Sequence, residues 1–143
     1  MFNDSSLMRT QRMLEMGMNA VLRRREVIAD NIANVDVPNF KRSELIFESQ
    51  LKRALDDEKR AKEDNFPELM THKKHIPFER HMDWEKVRPK TNLDFLTIMR
   101  TDGNNVDMEK EMTKAVENQM RYSIMTQTLN HNFKILNIVL RPQ

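Results

Sequence analysis

Apolar residues near the N-terminus recur at alternating steps of three and four, which is the spacing of a coiled-coil seam. Polar residues before Leu7 can cap a helix, and the Val37-Pro38 pair stops one because a residue before proline is biased out of helical geometry. The spacing predicts one helix of about 28 residues, between Leu7 and Val35. Its seam positions are Leu14, Met18, Val21, Arg25, Ile28, Ile32 and Val35, of which only Arg25 is charged.

The same alternation returns at the C-terminal end and predicts a second long helix. Acidic residues crowd its first turn and basic residues lie near its end, as the helix dipole favours. Its seam positions are Met112, Ala115, Gln119, Tyr122, Thr126, Leu129, Phe133, Leu136 and Leu140. A narrow apolar stripe cannot be buried by one helix alone, so we expect the two terminal helices to pair with each other.

The segment between these helices has a different composition. Residues 52–90 are dominated by charged side chains, so we expect little of this segment to be core. The spacing of Phe47, Leu51 and Leu55 predicts a shorter amphipathic helix within Ser43 to Lys62. We predict a loop over 65–90, a strand over Leu93 to Met99 and a turn at residues 102–104.

The fold class predicted from these elements is mainly α. Long N- and C-terminal helices pair in a coiled-coil-like bundle, and the charged middle is partly irregular. The expected organisation is an N-terminal axial helix with its following motif in 1–40, a variable middle in 41–100, and a turn with the C-terminal axial helix in 101–143.

Composition excludes several classes of function. The 143 residues contain two glycines and no cysteine, so neither a glycine-rich phosphate loop nor a thiolate site can be formed. A net charge of +2 is unlike that of a dedicated nucleic-acid binder. No secretory signal or membrane-length apolar run is present, so we expect no direct membrane span and no cleaved leader.

The sequence also gives little support for catalytic or metal-binding residues. His72, His75 and His81 are close in sequence, but Lys73 and Lys74 would repel a cation bound there. Ser123 and His131 have no nucleophile elbow or glycine-lined oxyanion turn near them. We therefore expect no enzymatic activity, no cofactor and no metal.

Polar residues in the helices suggest contacts with other chains. A charge at Arg25 inside a seam needs a carboxylate partner, either on the opposite helix or on another subunit. The helices also carry many amides, among them Asn118, Asn130 and Asn137, and such side chains can fix the register between helices. This composition favours a subunit of an assembly over a free globule.

Residues 29–40 resemble the signature of bacterial flagellar axial proteins of the rod and hook. The matching residues are Asn31, Ile32, Ala33, Asn34, Pro38 and Phe40. Asp30 stands where a second asparagine is usual, Val37 replaces a threonine, and Asn39 replaces a glycine. Asparagine is the residue that best substitutes for glycine in left-handed backbone, so we expect that conformation at Asn39.

A second segment, 101–122, resembles the B-type proximal rod proteins in particular. The residues that carry this resemblance are Gly103, Asn104, Asn105, Val106, Asp107, Glu111, Met112, Asn118, Gln119 and Tyr122. We expect both motifs, together with Leu129, Phe133 and Leu136, to form assembly interfaces.

The resemblance implies a structural subunit that polymerises through its terminal helices into the proximal part of the periplasm-spanning rod of the flagellar basal body. The implied partners are further copies of itself, other flagellar rod proteins, the adaptor at the membrane-ring base and the flagellar export apparatus, which uses no cleaved signal peptide. The alternative from another class is a cytoplasmic helical adaptor that binds an acidic protein through Arg23 to Arg25.

Overall fold

The computed structural model of the protein describes residues 6–63, 72, 74 and 82–140. Helix α1 spans Ser6–Ala33, strand β1 spans Ser43–Ile46 and helix α2 spans Glu48–Glu63. A 3-10 turn at Trp84–Lys86 precedes strand β2 at Lys90–Leu93, and helix α3 spans Met108–Leu140. The mainly helical fold and the two long terminal helices are confirmed, and α1 has the predicted length of 28 residues.

The chain divides into two compact units, and the first combines residues 1–45 with 91–143. Within this unit α1 packs against α3, as the apolar seams predicted. Strands β1 and β2 form a two-stranded sheet. The Asp94 N–H donates to the Arg42 carbonyl oxygen at 2.9 Å, so the start of β1 lies beside the end of β2. The prediction of a strand over Leu93 to Met99 was wrong, since β2 ends at Leu93.

The face of α1 that packs inward differs from the predicted seam by one residue at several positions. Ala20, Val21, Ile28 and Asn31 are buried, whereas Ile32 is only half-buried. Arg25 is exposed, so its assignment to the seam was wrong. An α-helix drifts by about 20° per heptad relative to a strict 3.5-residue repeat, and nothing in so short a helix pair enforces that repeat.

The prediction for α3 needs the same correction. Its two buried residues are polar, Glu111 and Asn118, while their neighbours Met112 and Gln119 are exposed. Asn118 donates to the Val21 carbonyl oxygen on α1 at 2.9 Å, which explains why an amide takes this position. Predicted seam residues that are half-buried are Ala115, Tyr122, Thr126, Leu129 and Leu136, and those that are exposed are Phe133 and Leu140.

The second unit comprises residues 46–90, and its helix α2 confirms the predicted amphipathic helix from Glu48 on, whereas Ser43–Ile46 at the start of the predicted run form strand β1. The expectation that residues 52–90 contain little core was partly wrong. Ala54, Trp84 and Val87 are buried, as is Phe47 just before α2. Asp83 caps the 3-10 turn by accepting the Glu85 N–H at 3.0 Å. Most of the loop predicted over 65–90, with His75 and His81, lies outside the described residues.

Candidate functional site

The two motif segments, separated by about 60 residues in sequence, meet where α1 ends and α3 begins. We call the cluster of Asn31, Arg42, Asn104, Asn105 and Glu111 the polar junction. Four of its members are buried asparagine or glutamate side chains, and the Arg42 side chain is 17% exposed. Buried polar groups require hydrogen-bond partners, and every member of the junction has them.

Asn104 organises the chain that leaves α1. Its side-chain nitrogen lies 3.1 Å from the Asn34 carbonyl oxygen and 2.9 Å from those of Val35 and Val37. Its side-chain oxygen accepts the Val106 N–H at 2.7 Å. One amide thus satisfies several backbone groups that α1 and the following turn leave without helical partners.

Asn31 and Glu111 join α1, β1 and α3. The Asn31 amide exchanges two hydrogen bonds of 2.9 Å with the backbone of Ser43. It also donates to Glu111 Oε2 at 3.0 Å. The other carboxylate oxygen, Oε1, accepts from Arg42 at 3.2 Å and from Lys114 at 3.1 Å. Because both oxygens of a fully buried carboxylate are paired with donors, the charge is compensated inside the junction.

Asn105 connects the junction to the segment after β2. Its oxygen accepts the Arg42 N–H at 2.7 Å. Its nitrogen donates to the Asp94 carbonyl oxygen at 2.8 Å and to Thr97 Oγ1 at 3.1 Å. The Thr97 hydroxyl donates in turn to the Asp94 carboxylate, which holds the pKa of Asp94 below its usual value of 3.8.

The turn after α1 depends on the left-handed residue predicted at Asn39. Its φ is +60°, which confirms the prediction, and Pro38 occupies the preceding turn position that favours proline. The Asn39 N–H donates to the Asp102 carbonyl oxygen at 3.0 Å. Gly103 has a φ of +79°, and a Cβ there would lie 2.8 Å from Asn39 Oδ1. The two motif turns are therefore in close contact, and a side chain at residue 103 would have to displace the Asn39 side chain.

Asp107 begins α3. Its carboxylate accepts the backbone N–H groups of Glu109 at 3.1 Å and Lys110 at 3.2 Å, as an N-cap residue does. The hydrogen bond from the Lys110 N–H is the main reason why the pKa of Asp107 lies below its usual value of 3.8. The position of Asp107 in the second motif is thus explained by helix capping.

The remaining predicted site residues do not form one cluster. Val106 is buried and Ile32, Asn34 and Phe40 are half-buried, whereas Ala33 and Pro38 are exposed. Asn34 donates to the Asp30 carbonyl oxygen at 2.7 Å. The predicted residues that lie along α3 beyond the junction are Met112, Asn118, Gln119, Tyr122, Leu129, Phe133 and Leu136.

Sequence reasoning missed Arg42 and Arg100. Arg42 pairs with Glu111, and Arg100 donates to the Val35 carbonyl oxygen at 2.8 Å and to the Asp36 carboxylate at 3.3 Å. Both arginines lie outside the two motifs, so no motif could identify them. Arg42 could have been found only from the need of a buried Glu111 carboxylate for a cationic partner. The burial of Glu111 was itself not predicted.

The arrangement is suited to holding segments together. Among the described residues, no group of three His, Cys, Asp or Glu side chains could hold a metal ion. Within the same part of the chain, no helix is long and apolar enough to span a membrane. The hydrogen-bonding capacity of the junction is directed at the chain's own backbone and at its own charges.

Comparison with known proteins identifies the family. Residues 7–41 match the family model described as "Flagella basal body rod protein". The chain is 43% identical over 118 residues to the flagellar basal body rod protein FlgB of Borrelia hermsii, covering 82% of this chain and 85% of that protein. Its identity to the protein of the same name is 30% in Bacillus subtilis, with 89% of both chains covered, and 29% in Escherichia coli, with 91% of both chains covered. The chain therefore belongs to the FlgB family of flagellar basal body rod proteins.

Proposed function

We propose that the protein is a structural subunit that polymerises through its terminal helices into the proximal, periplasm-spanning part of the rod. The polar junction sets the relation between α1 and α3 within one chain, and the exposed parts of both helices contact neighbouring subunits. The family supports a place in the basal body rod, and the surface of α3 supports this mode of assembly.

One observation carries the proposal: α3 exposes a row of apolar side chains along its length. We call Met112, Val116, Met120 and Ile124 the outer stripe, because they follow one another at steps of four and are all more than half exposed. Ile138, Val139 and Leu140 at the end of α3 are about three-quarters exposed. Exposed apolar surface of this kind marks an interaction site, so other chains should cover α3.

The proposed neighbours are further copies of this chain, other rod proteins and an adaptor at the membrane-ring base. We also propose that the chain is exported by the flagellar export apparatus without a cleaved signal peptide. The predicted interface residues Met112, Gln119 and Phe133 are exposed on α3, which is where residues that contact another subunit are expected.

A charge placed in the outer stripe tests the proposal. Ile124→Glu should leave the free energy of unfolding of the purified chain within about 0.5 kcal/mol, because Ile124 is exposed. In cells it should prevent incorporation into basal bodies and abolish swimming. Ile124→Leu is the matched control, since it keeps an apolar side chain of the same volume at the same position and should swim normally. Normal incorporation and motility of Ile124→Glu would contradict the proposal.

Replacing exposed amides on α3 gives a second test of the proposed assembly, and the structure determines which amides are suitable for it. Asn130 and Asn137 are exposed on α3, so their replacement by alanine should leave stability unchanged and reduce rod formation if they bridge subunits. Asn118 is buried and bonded to α1, so it cannot serve as a surface amide in this test. Full motility of Asn130→Ala and Asn137→Ala would show that these amides do not bridge subunits, and only the apolar surface would then support the proposed assembly.

The alternative, a cytoplasmic adaptor that binds an acidic partner through Arg23 to Arg25, has limited support. Arg23 already donates to Glu26 at 2.9 Å, while Arg25 is exposed. Cell fractionation distinguishes the two functions, because the adaptor would be recovered in the cytosol and the rod subunit with purified basal bodies.

A further inference from the structure

The segment after β2 presents an exposed group of apolar side chains. We call Phe95, Leu96, Ile98 and Met99 the apolar loop; each is more than half exposed, and Leu96 is 97% exposed. Four neighbouring apolar residues in this state are unusual for a surface that remains in water. The apolar loop therefore requires an explanation beyond the folding of the single chain.

Hydrogen bonds hold this loop in one conformation. The Asp94 carboxylate accepts the N–H groups of Leu96 at 3.1 Å and Thr97 at 3.3 Å, and the Thr97 hydroxyl at 2.7 Å. At the other end, the N–H groups of Met99 and Arg100 donate to the Asn104 carbonyl oxygen. Because the polar junction fixes both ends, the exposed side chains are presented with little remaining backbone freedom to lose on binding.

A cavity of about 520 Å³ opens between α1 and α3 one to two helical turns beyond the junction. We call it the apolar groove; its walls are formed mainly by Ile28, Ala29, Ile32, Ala115, Val116 and Met120. This volume is within the range of pockets that hold whole ligands, about 300 to 1,000 Å³. The apolar groove is thus large enough to receive several apolar side chains.

Arg25 at the groove and Asp94 at the base of the loop are oppositely charged, although Arg42 also acts on Asp94 and Arg100 follows the loop. Arg25 lines the groove, is exposed, and makes no ion pair within the described part of the chain. Asp94 lies at the base of the apolar loop, and its hydrogen bonds lower its pKa, so it stays negatively charged at neutral pH. An occupant that brings Asp94 close to Arg25 would bury apolar surface and compensate this charge together.

We propose that the apolar loop of one subunit inserts into the apolar groove of a second copy of this chain. This inference rests on the proposed function and names one contact through which the rod subunits bind each other. Because the loop and the groove lie on different parts of the same chain, the contact is heterologous. Each added subunit then offers one free loop or one free groove, so the contact can repeat in a helical assembly.

A second copy explains more than a foreign partner does. The loop and the groove are both uncovered in the same chain, and a foreign protein that filled the groove would leave the loop exposed. A contact between identical chains covers the two surfaces at once and places opposite charges beside each other.

Because the chain contains no cysteine, the contact can be tested by site-specific disulfide formation. The native copy in a flagellated cell is replaced by variants that carry Leu96→Cys in the loop together with Ala29→Cys or Val116→Cys in the groove. A disulfide needs Cα atoms about 4.4 to 6.8 Å apart. Oxidised basal bodies carrying a double variant should give covalent multimers on a non-reducing gel. Leu96→Cys alone, Ala29→Cys alone and Val116→Cys alone are the controls and should give monomers.

Multimers with a groove cysteine support the inference, and their absence from both double variants in isolated basal bodies would overturn it. Leu96→Glu provides an independent measurement. It should leave the urea midpoint of the purified chain unchanged and lower its amount in basal bodies about tenfold or more, which corresponds to about 1.4 kcal/mol. Wild-type incorporation of Leu96→Glu would also overturn the inference. If the unaltered chain were missing from basal bodies, the proposed function itself would fail.

Discussion

The polar junction buries polar side chains, whereas the distal part of α3 exposes apolar ones. At the junction the buried residues are asparagines and a glutamate, and each has hydrogen bonds to other parts of the chain. Along α3 beyond Asn118, which we call the distal arm, no residue is buried and many exposed residues are apolar. The junction is therefore complete within one chain, whereas the distal arm leaves apolar surface uncovered.

This difference shows how one chain can be both specific and ready to assemble. Hydrogen bonds demand accurate geometry, so a polar junction selects one arrangement of its segments. Apolar contacts are less directional, and their driving force is used when another chain covers them. We expect the junction to be ordered in the isolated subunit and the distal arm to gain most of its stability on assembly.

The largest expected effect comes from removing the buried carboxylate. Glu111→Ala removes the buried carboxylate that pairs with Arg42 and Lys114 and accepts from Asn31, and it leaves Arg42 with the exposed carboxylate of Glu44 at 3.1 Å. We expect a loss of about 3 to 5 kcal/mol in the free energy of unfolding, measured with urea. Glu109→Ala, an exposed acidic residue in the same turn, is the control and should stay within about 0.5 kcal/mol.

The distal arm supplies the contrast to this prediction. Phe133 is 44% exposed, so Phe133→Ala should cost less than the about 3 to 5 kcal/mol typical of a fully buried phenylalanine. If Phe133→Ala destabilised the isolated chain more than Glu111→Ala does, the comparison between the two regions would be wrong.

An intermediate effect is expected at Asn104. Asn104→Ala removes the donor to three carbonyl oxygens and the acceptor of the Val106 N–H, all inside the protein. The expected loss is about 1 to 3 kcal/mol for unsatisfied buried groups. Asn104→Asp has nearly the same shape but places negative charge against those carbonyl oxygens, so it should lose more than Asn104→Ala. Chemical denaturation of both variants measures the difference, and equal stability of the two would contradict the assigned amide orientation.

The elements of the fold could be predicted because they depend on local signals. The apolar spacing and Pro38 predicted α1 with nearly the correct ends, and Asn39 adopts the left-handed backbone expected from its replacement of glycine. Which residue faces inward could not be predicted in the same way. Asn31 is buried in place of Ile32 because its amide pairs with Ser43 and Glu111, contacts that span 12 and 80 residues.

The same reason explains the missed core of α3. The alternating spacing of three and four placed Met112 and Gln119 on the inside of the helix pair, but both side chains are exposed. Glu111 is buried because Arg42 and Lys114 donate hydrogen bonds to its carboxylate, and Asn118 is buried because it donates to the Val21 carbonyl oxygen. Partners contributed by another segment are not visible in the spacing of a single helix. The motif resemblance named Asn31, Asn104, Asn105 and Glu111 of the polar junction and missed Arg42, and the folded chain was needed to give their roles.

A smaller effect is expected where the two motif turns touch. Gly103→Ala would place a Cβ 2.8 Å from Asn39 Oδ1 and force a left-handed backbone on alanine, at a cost of about 1 to 2 kcal/mol. Asn39→Gly removes the obstructing side chain and should itself be nearly neutral, because glycine adopts a φ of +60° readily. Asn39→Val should cost about 1 kcal/mol or more.

A double-mutant cycle isolates the contact between these turns. The cost of Gly103→Ala should be smaller in the Asn39→Gly background, because only the backbone strain at residue 103 remains. Thermal unfolding of the four chains gives the coupling. Equal costs in both backgrounds would mean that Asn39 moves aside freely and that the turns are not mutually constrained.

The smallest effect concerns the charge that caps α3 beside the junction. The pKa of Asp107 is lowered in the folded chain, so the carboxylate stabilises the fold above its unfolded pKa, about 3.9, and this contribution is lost as the pH falls through the lower folded value. Asp107→Asn keeps an oxygen that can accept the Lys110 N–H but carries no charge. Urea unfolding should therefore find the variant less stable than the native chain near neutral pH, with the difference shrinking as the medium is acidified below about pH 4. A constant difference between Asp107→Asn and the native chain at all pH values would mean that the shape of the cap, and not its charge, stabilises the first turn of α3.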